Sequence, residues 1–109
     1  MQEFALLFRA TRPIGGDELT KRNAAARDWV LARQKEGVLS AASPLTEDGF
    51  SVSARGVTPI TRDHAVASVL VIRADDLQRA VALAKEHPGL AFGTEIEVRP
   101  VKAVSVPPR

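Results

Sequence analysis

The most regular hydrophobic pattern in the chain predicts an amphipathic helix in its last third. Asp75 precedes this helix as a candidate N-cap with Gln78 at the capping-box position, and Pro88-Gly89 ends it. His87 falls at the predicted end, where a cation interacts favourably with the helix dipole and can bond the last carbonyls. The predicted buried stripe repeats at positions i, i+3, i+4 and i+7, and consists of Leu77, Ala80, Val81 and Ala84.

Five other segments have the patterns of strands. Residues 66–72 are almost all apolar and rich in β-branched side chains, and residues 3–9 are apolar on both faces, so both predict central strands. Residues 94–101 alternate between apolar and charged side chains, which is typical of an edge strand or a half-solvated strand. Residues 38–42 and 50–54 predict two shorter strands.

A second helix is predicted from about residue 18 to residue 36. Asp17 or Thr20 could cap its start, and Gly37 is placed to end it. Residues 55–63 contain a glycine and a proline and predict an irregular link. The order of elements predicts an α+β fold, a ferredoxin-like sandwich in which two helices cover one face of an antiparallel sheet.

The two central strands predict an assembly as well as a fold. Their second apolar face would meet water in a monomer, so we expect a homodimer that packs through this face of the sheet. We take residues 1–101 as one domain, and residues 102–109, which include two prolines, as an extended tail.

The composition of the 109 residues narrows the function classes. The apolar share of 45% and the charged share of 26% are those of an ordinary globular protein. No cysteine is present, which excludes disulfides and cysteine-ligated metals and is compatible with the cytoplasm, where we place the protein. No apolar run approaches the length of a membrane span, and no secretion signal is predicted.

The basic charge balance does not predict a nucleic-acid partner. The net charge is +2 and the pI is near 9.5, but the arginines are scattered among acids. Tyrosine is absent and Trp29 is the only tryptophan, so side chains that could stack on bases are scarce. The two histidines lie far apart without metal-binding spacing, and we predict neither a metal site nor a cofactor.

Asp63-His64 is the best candidate for acid–base chemistry. A carboxylate beside an imidazole can set its tautomer and raise its pKa, which gives a base that works near neutral pH. Adjacent side chains at the start of a strand point in opposite directions, however, so the two need not touch. The alternative is that His64 is a solvated histidine in a loop.

Three further residues are candidates for binding a substrate. Arg9 and Arg73 lie at the ends of the two central strands, where a guanidinium can hold a carboxylate through two hydrogen bonds. Trp29 could stack on an aromatic ligand. The alternatives are surface or interface charges for the two arginines and a core position for Trp29. Antiparallel neighbours would also place the two arginines at opposite edges of the sheet.

Four short motifs together cover most of residues 1–101. They are FALLFR at 4–9, Trp29 with GVL at 37–39 and PL at 44–45, DL at 76–77 with HP at 87–88, and EVRPV at 97–101. In this combination the chain resembles the YCII-related family, within the dimeric α+β barrel superfamily. The resemblance implies a pocket. Some relatives in that superfamily are isomerases, dehalogenating enzymes or oxygen-using enzymes that act on small organic acids and aromatics.

The chain departs from one motif of that family. A large branch carries Asp-Gly-Pro-Phe before the strong strand, whereas the matching stretch here, residues 57–64, keeps only Pro59 and has Ile60 in place of the aromatic. This DGPF-type motif is therefore degenerate.

Two functions stay open at this point. The first is a dimer that binds a small organic molecule in a pocket between sheet and helices, with or without catalysis. If it is an enzyme, we expect cofactor-free isomerase or lyase chemistry on a small organic acid, in which His64 is the base and Arg9 or Arg73 anchors the anion. The second is a non-catalytic accessory or regulatory module that binds a partner protein.

Overall fold

The computed structural model describes residues 1–61 and 65–102, and these form six strands, two α helices and one 3₁₀ helix. The bounds are β1 Gln2–Ala10, α1 Gly16–Lys35, β2 Leu39–Pro44, β3 Phe50–Ser53, β4 Gly56–Pro59, β5 Val66–Ala74, α2 Leu77–Lys85, the 3₁₀ helix Pro88–Phe92, and β6 Thr94–Pro100. No helix in these two ranges is long and apolar enough to cross a lipid bilayer.

The main sheet has four strands in the order β2-β5-β1-β6, and every neighbouring pair is antiparallel. Strands β1 and β5 are therefore central and β6 is an edge strand, as their hydrophobic patterns predicted. Leu6 lies opposite Leu70 of β5 on one side and Val98 of β6 on the other. The predicted α+β, ferredoxin-like architecture is confirmed.

Both helices cover the same face of this sheet. Successive residues of a strand point to opposite faces, and the even-numbered positions Phe4, Leu6 and Phe8 of β1 are buried in the core. The same core contains Trp29 of α1 and Leu83 of α2. One layer of helices and one layer of sheet thus share a single core.

The other face of the sheet carries a second set of apolar side chains. Ala5 and Leu7 of β1 point away from the helices and lie opposite Val71 and Val69 of β5. All four are only half-buried. No element of the described chain covers this face, which we call the open face.

Residues Gly56–Pro59 form a strand, so the prediction of an irregular link over residues 55–63 is wrong for these four positions. They pair with β3 in a separate hairpin. Gly56 makes the tight turn possible because its φ of 137° is a conformation that other residues rarely adopt. Pro59 is tolerated because it lies at the end of β4.

The hairpin has one apolar face that meets solvent. Phe50 pairs with Pro59 and Val52 pairs with Val57, so these four side chains point the same way. Phe50, Val52 and Val57 are 68%, 76% and 62% exposed. The strand predicted at residues 50–54 forms over Phe50–Ser53, and all four of its residues are exposed.

The N-cap of α1 differs from the predicted one, whereas the glycine that ends the helix is the predicted one. The N-cap residue is Gly15, and no side chain caps the helix; Asp17 lies within the first turn, and the Thr20 hydroxyl donates to the Gly16 carbonyl at 3.3 Å. Gly37 follows the helix with a φ of 76°, as predicted for a glycine that ends a helix.

The cap and the buried stripe of α2 are displaced relative to the sequence pattern. Asp76, not Asp75, is the N-cap, and its carboxylate accepts a hydrogen bond of 2.8 Å from the Arg79 backbone N–H. Leu77 and Val81 are exposed, whereas Ala80, Leu83 and Ala84 are buried. The core therefore selects the stripe 80, 83, 84 rather than the equally regular stripe that begins at Leu77.

Candidate functional site

A cleft of about 350 Å³ lies where the chain leaves β1 and enters α1. It takes its walls from five short segments that the fold brings to one end of the sheet. These are residues 10–14 after β1, Leu19 and Arg22 of α1, residues 45–47 after β2, residues 60–61 after β4, and residues 65–67 at the start of β5.

The lining combines aliphatic and polar side chains. The aliphatic part is formed by Ile14, Leu19, Leu45 and Ile60, together with Pro13. Thr11, Thr46 and Thr61 add hydroxyl groups, and Arg12, Arg22 and Glu47 add charges. A small-molecule site typically has this composition, an apolar wall with a few polar groups that fix orientation. A depression of about 330 Å³ at the other end of the sheet is lined by only Gln2, Glu3, Pro100 and Val101.

The wall formed by Thr11 and Arg12 is held in place from two sides. The Thr11 backbone N–H donates to the Gly93 carbonyl at 2.9 Å, and the Thr11 hydroxyl donates to the same oxygen. The Arg12 guanidinium donates to both carboxylate oxygens of Glu18, at 3.1 and 3.3 Å. This hydrogen-bonded ion pair lowers the pKa of Glu18 and raises the pKa of Arg12.

Arg22 is the second cation of the cleft and has a different environment. It is half-buried in the second turn of α1, and its guanidinium donates to the Asn23 side-chain oxygen at 3.0 Å. Within residues 1–61 and 65–102, it forms no ion pair with a carboxylate. The two cations of the cleft therefore differ. Glu18 neutralises Arg12, whereas no carboxylate of the described residues neutralises Arg22.

His87 is buried, and the prediction of a cation at the end of α2 is wrong. Only 7% of its surface is exposed. Its ring packs edge-on against Phe8 and Trp29, at centroid distances of 4.7 and 4.9 Å. Burial, together with the positive charge of Arg22, lowers the pKa of His87 to about 4, so the imidazole is neutral at pH 7.

The buried imidazole also organises the segment after α2. Its Nδ1 accepts a hydrogen bond of 2.9 Å from the Gly89 backbone N–H, which caps the 3₁₀ helix. A neutral imidazole that accepts at Nδ1 carries its proton on Nε2. Gly89 fits tightly here, because a Cβ atom would lie 3.0 Å from both His87 Nδ1 and Thr94 Oγ1.

The three substrate-binding candidates lie apart, and none of them lines the cleft. Arg9 forms an ion pair of 2.9 Å with Glu97 on the open face. Arg73 is exposed near the opposite end of the β1–β5 pair, across from Glu3. Trp29 is a core residue that packs on His87, with the Arg33 guanidinium 5.4 Å from its ring centre. A role in substrate binding stays a prediction for each.

The acid–base candidates Asp63 and His64 lie outside the described residues. The described positions nearest to them are Thr61 and Ala65, and both line the cleft. The roles of Asp63 and His64 also stay predictions.

Sequence reasoning missed Arg22, although the pattern contained a signal for it. Arg22, Ala26 and Trp29 follow the i, i+4, i+7 spacing of one helix face. A residue on the face of a buried tryptophan is drawn toward the body of the protein, and this accounts for the half-buried position of Arg22. Thr11 and Arg12 lie between β1 and α1, in the segment TRPIGG at residues 11–16, which has no periodic pattern that could identify them.

Comparisons with known proteins agree with the fold. The family model of the YCII-related domain matches residues 4–105. Among solved structures, the chain is similar to 5-chloro-2-hydroxyhydroquinone dehydrochlorinase from Burkholderia phenoliruptrix AC1100 in complex with 2,5-dihydroxybenzoquinone. The TM-score is 0.56 at 16% sequence identity, over 91% of this chain and 93% of that chain. No curated protein sequence matches.

The environment of His87 predicts a loss of stability in acid. The unfolded chain takes up a proton near the ordinary pKa of 6.5, whereas folded His87 does so only near pH 4. The free energy of unfolding should therefore fall as the pH drops from 6.5 toward 4, by up to about 3 kcal/mol from this residue.

Urea denaturation at several pH values, on the wild type and His87→Asn, measures this contribution. Asparagine keeps a side-chain acceptor for the Gly89 N–H but does not titrate, so the stability advantage of the wild type should shrink as the pH falls. An advantage that stays constant between pH 7 and 4 would contradict the assignment.

Proposed function

The chain belongs to the YCII-related family, and from this starting point we propose that its cleft binds a small organic acid. The observation that carries the proposal is the combination, in one cleft, of aliphatic side chains with a half-buried arginine that has no described carboxylate partner. The fold relative solved with 2,5-dihydroxybenzoquinone supports the idea that this architecture can hold a small ring compound.

We further propose that the bound acid undergoes cofactor-free proton transfer. His64 would remove a proton from a carbon atom of the substrate, with Asp63 stabilising the imidazolium that forms. In an isomerase the proton returns at a different atom of the substrate. In a lyase the electron pair left on carbon expels a leaving group. The cleft positions of Thr61 and Ala65, on either side of this segment, support the proposal.

Identification of a bound metabolite tests the binding proposal first. Protein purified from its native cells should carry an organic acid that mass spectrometry detects after denaturation of the washed protein. With that compound as substrate, His64→Ala should keep its affinity and lose roughly 100-fold or more in kcat, because a general base contributes that much.

Arg79→Ala serves as the matched control, since Arg79 is exposed on α2 and is not part of the cleft lining. Full activity of His64→Ala would remove the acid–base role and leave a binding protein. Recovery of no small molecule, together with absence of binding to a panel of organic acids, would count against the proposed function itself.

We also propose that two copies of the chain pack through the open face. Ala5, Leu7, Val69 and Val71 form a continuous apolar area at the centre of the sheet, and apolar areas of this kind usually mark interfaces. Charged side chains lie beside it, with the Arg9–Glu97 pair toward the β6 edge. An apolar centre with a polar rim is the usual arrangement in a stable dimer.

Light scattering during size exclusion, at micromolar concentration, should give twice the chain mass of 11.7 kDa. Leu7→Glu places a charge at the centre of the open face and should shift the protein to the mass of one chain. Leu31→Glu is the control, because Leu31 is exposed on α1. A single-chain mass for the wild type would rule out the dimer.

The exposed hairpin favours a second candidate function, that of an accessory module which binds a partner protein. A two-stranded hairpin is marginally stable alone, and a partner that covers an apolar face of this kind removes it from water, which is favourable. Phe50 and Val52 would provide the main contacts, since both are more than two-thirds exposed.

A photo-crosslinking residue at position 52 tests this alternative in native cells. It should capture one other protein, whose affinity in purified form falls at least about tenfold for Phe50→Ser/Val52→Ser, as expected for interface anchors. Ser51→Ala, on the polar face of the hairpin, should leave the affinity unchanged. Crosslinks that join only copies of this chain would contradict the alternative.

A further inference from the structure

We propose that Arg22 is the anion anchor of the cleft, and that it holds the charged end of an organic monoanion whose apolar body lies on the aliphatic wall. The assignment rests on the proposed function of the cleft and names the residue that selects its ligand. It replaces neither His64 nor Asp63, because an anchor binds the substrate without exchanging protons with it.

The local partners of Arg22 leave its charge available. The Arg22 guanidinium donates a hydrogen bond to the side-chain oxygen of Asn23, which is a neutral acceptor. Arg12, the other arginine of the cleft, has both carboxylate oxygens of Glu18 within hydrogen-bond distance. Partial burial of a guanidinium costs hydration free energy, which a carboxylate ligand can offset through two charge-assisted hydrogen bonds.

The arginines proposed from sequence fit this role less well. Arg9 already contacts Glu97 and lies on the open face of the sheet. Arg73 lies near the other end of the strand pair, outside the cleft lining. Arg22 alone among these three combines a cleft position with the absence of a described carboxylate partner.

The aliphatic wall defines the rest of the ligand. Leu19 lies three residues before Arg22, on the same face of α1, so an apolar surface lies directly beside the guanidinium. Leu45 and Ile60 complete the wall and are 51% and 38% exposed. A ligand with a hydrocarbon or aromatic body would cover this surface and gain free energy from its burial.

The charge balance of the cleft favours a single negative charge on the ligand. One arginine is available, since Glu18 neutralises the other. A monocarboxylate matches this balance better than a phosphate ester or a nucleotide.

The coupling between Arg22 and His87 provides an independent readout. The positive charge of Arg22 is one of the two causes that lower the pKa of His87. An anion bound to Arg22 would partly cancel that charge, so the pKa of His87 should rise when the site is occupied. Because linkage is reciprocal, protonation of His87 should strengthen anion binding.

Titrations monitored by NMR at pH 7 can test the anchor with two matched probes. Benzenesulfonate stays ionised across the whole pH range of the experiment, and benzenesulfonamide has nearly the same shape without the charge. Benzenesulfonate should shift the amide signals of residues 10–14 and 19–22, and it should bind more tightly than the sulfonamide.

Arg22→Gln should weaken benzenesulfonate binding about tenfold, the loss expected for a charge-assisted contact, and should leave sulfonamide binding unchanged. Arg27→Gln, an exposed position on the same helix, is the control and should retain the wild-type affinity. The His87 ring signals, assigned with His87→Asn, should titrate at higher pH in Arg22→Gln and in the wild type saturated with benzenesulfonate.

The outcomes separate this assignment from the proposed function. Equal binding of both probes to the cleft, unaffected by Arg22→Gln, would overturn the anchor and leave the cleft as a small-molecule site. Binding of benzenesulfonate that depends on Arg9 or Arg73 would overturn it in favour of another surface. A His87 titration that shifts in Arg22→Gln but not when benzenesulfonate saturates the wild type would show that the sulfonate binds away from Arg22, and would also overturn it.

Discussion

The packing of β1 between its two neighbours and beneath both helices is the contact on which the rest of the structure depends. Phe4, Leu6 and Phe8 lie on the covered face of this strand, and each is buried. Phe8 extends the core through its aromatic contact with His87. The residues that directly follow β1 form one wall of the cleft. The strand that organises the core therefore also positions Thr11 and Arg12, the first polar residues of the cleft.

Much of this architecture could be predicted because the buried face of a helix or strand requires apolar residues at regular spacing in the sequence. Residues 66–72 are apolar on both faces, and that pattern correctly indicated a central strand. The buried stripe of α2 shows where periodicity is ambiguous. Two stripes have the same spacing, one beginning at Leu77 and one at Ala80, and only packing against the sheet selects the second. The second stripe continues to position 87 at the same spacing. The burial of His87 could therefore have been predicted from the sequence if the second stripe had been chosen in place of the first.

The cleft was less predictable because its members come from five segments that are distant in sequence. A pattern within one helix or strand cannot show which loops meet at one end of a sheet. It also cannot show which charges neutralise each other. Arg12 and Arg22 look alike in the sequence, and the difference between them arises because Glu18, four residues before Arg22 on α1, forms its ion pair with Arg12. The hairpin was partly missed for a related reason, because Gly56 and Pro59 suggest a break unless their place in a turn and at a strand end is known.

The tight fit between Gly89 and His87 has a consequence for how sequences of this type can change. A Cβ atom at position 89 would lie 3.0 Å from the imidazole nitrogen and from the Thr94 hydroxyl, a contact tight enough that the neighbouring groups must shift. Loss of the imidazole would remove the acceptor for the Gly89 N–H. Either substitution alone is unfavourable, whereas a smaller residue at 87 removes one of the two close contacts that alanine at 89 would make. Positions 87 and 89 are therefore expected to vary as a pair during divergence, because the residue at one position restricts which residues the other can accept.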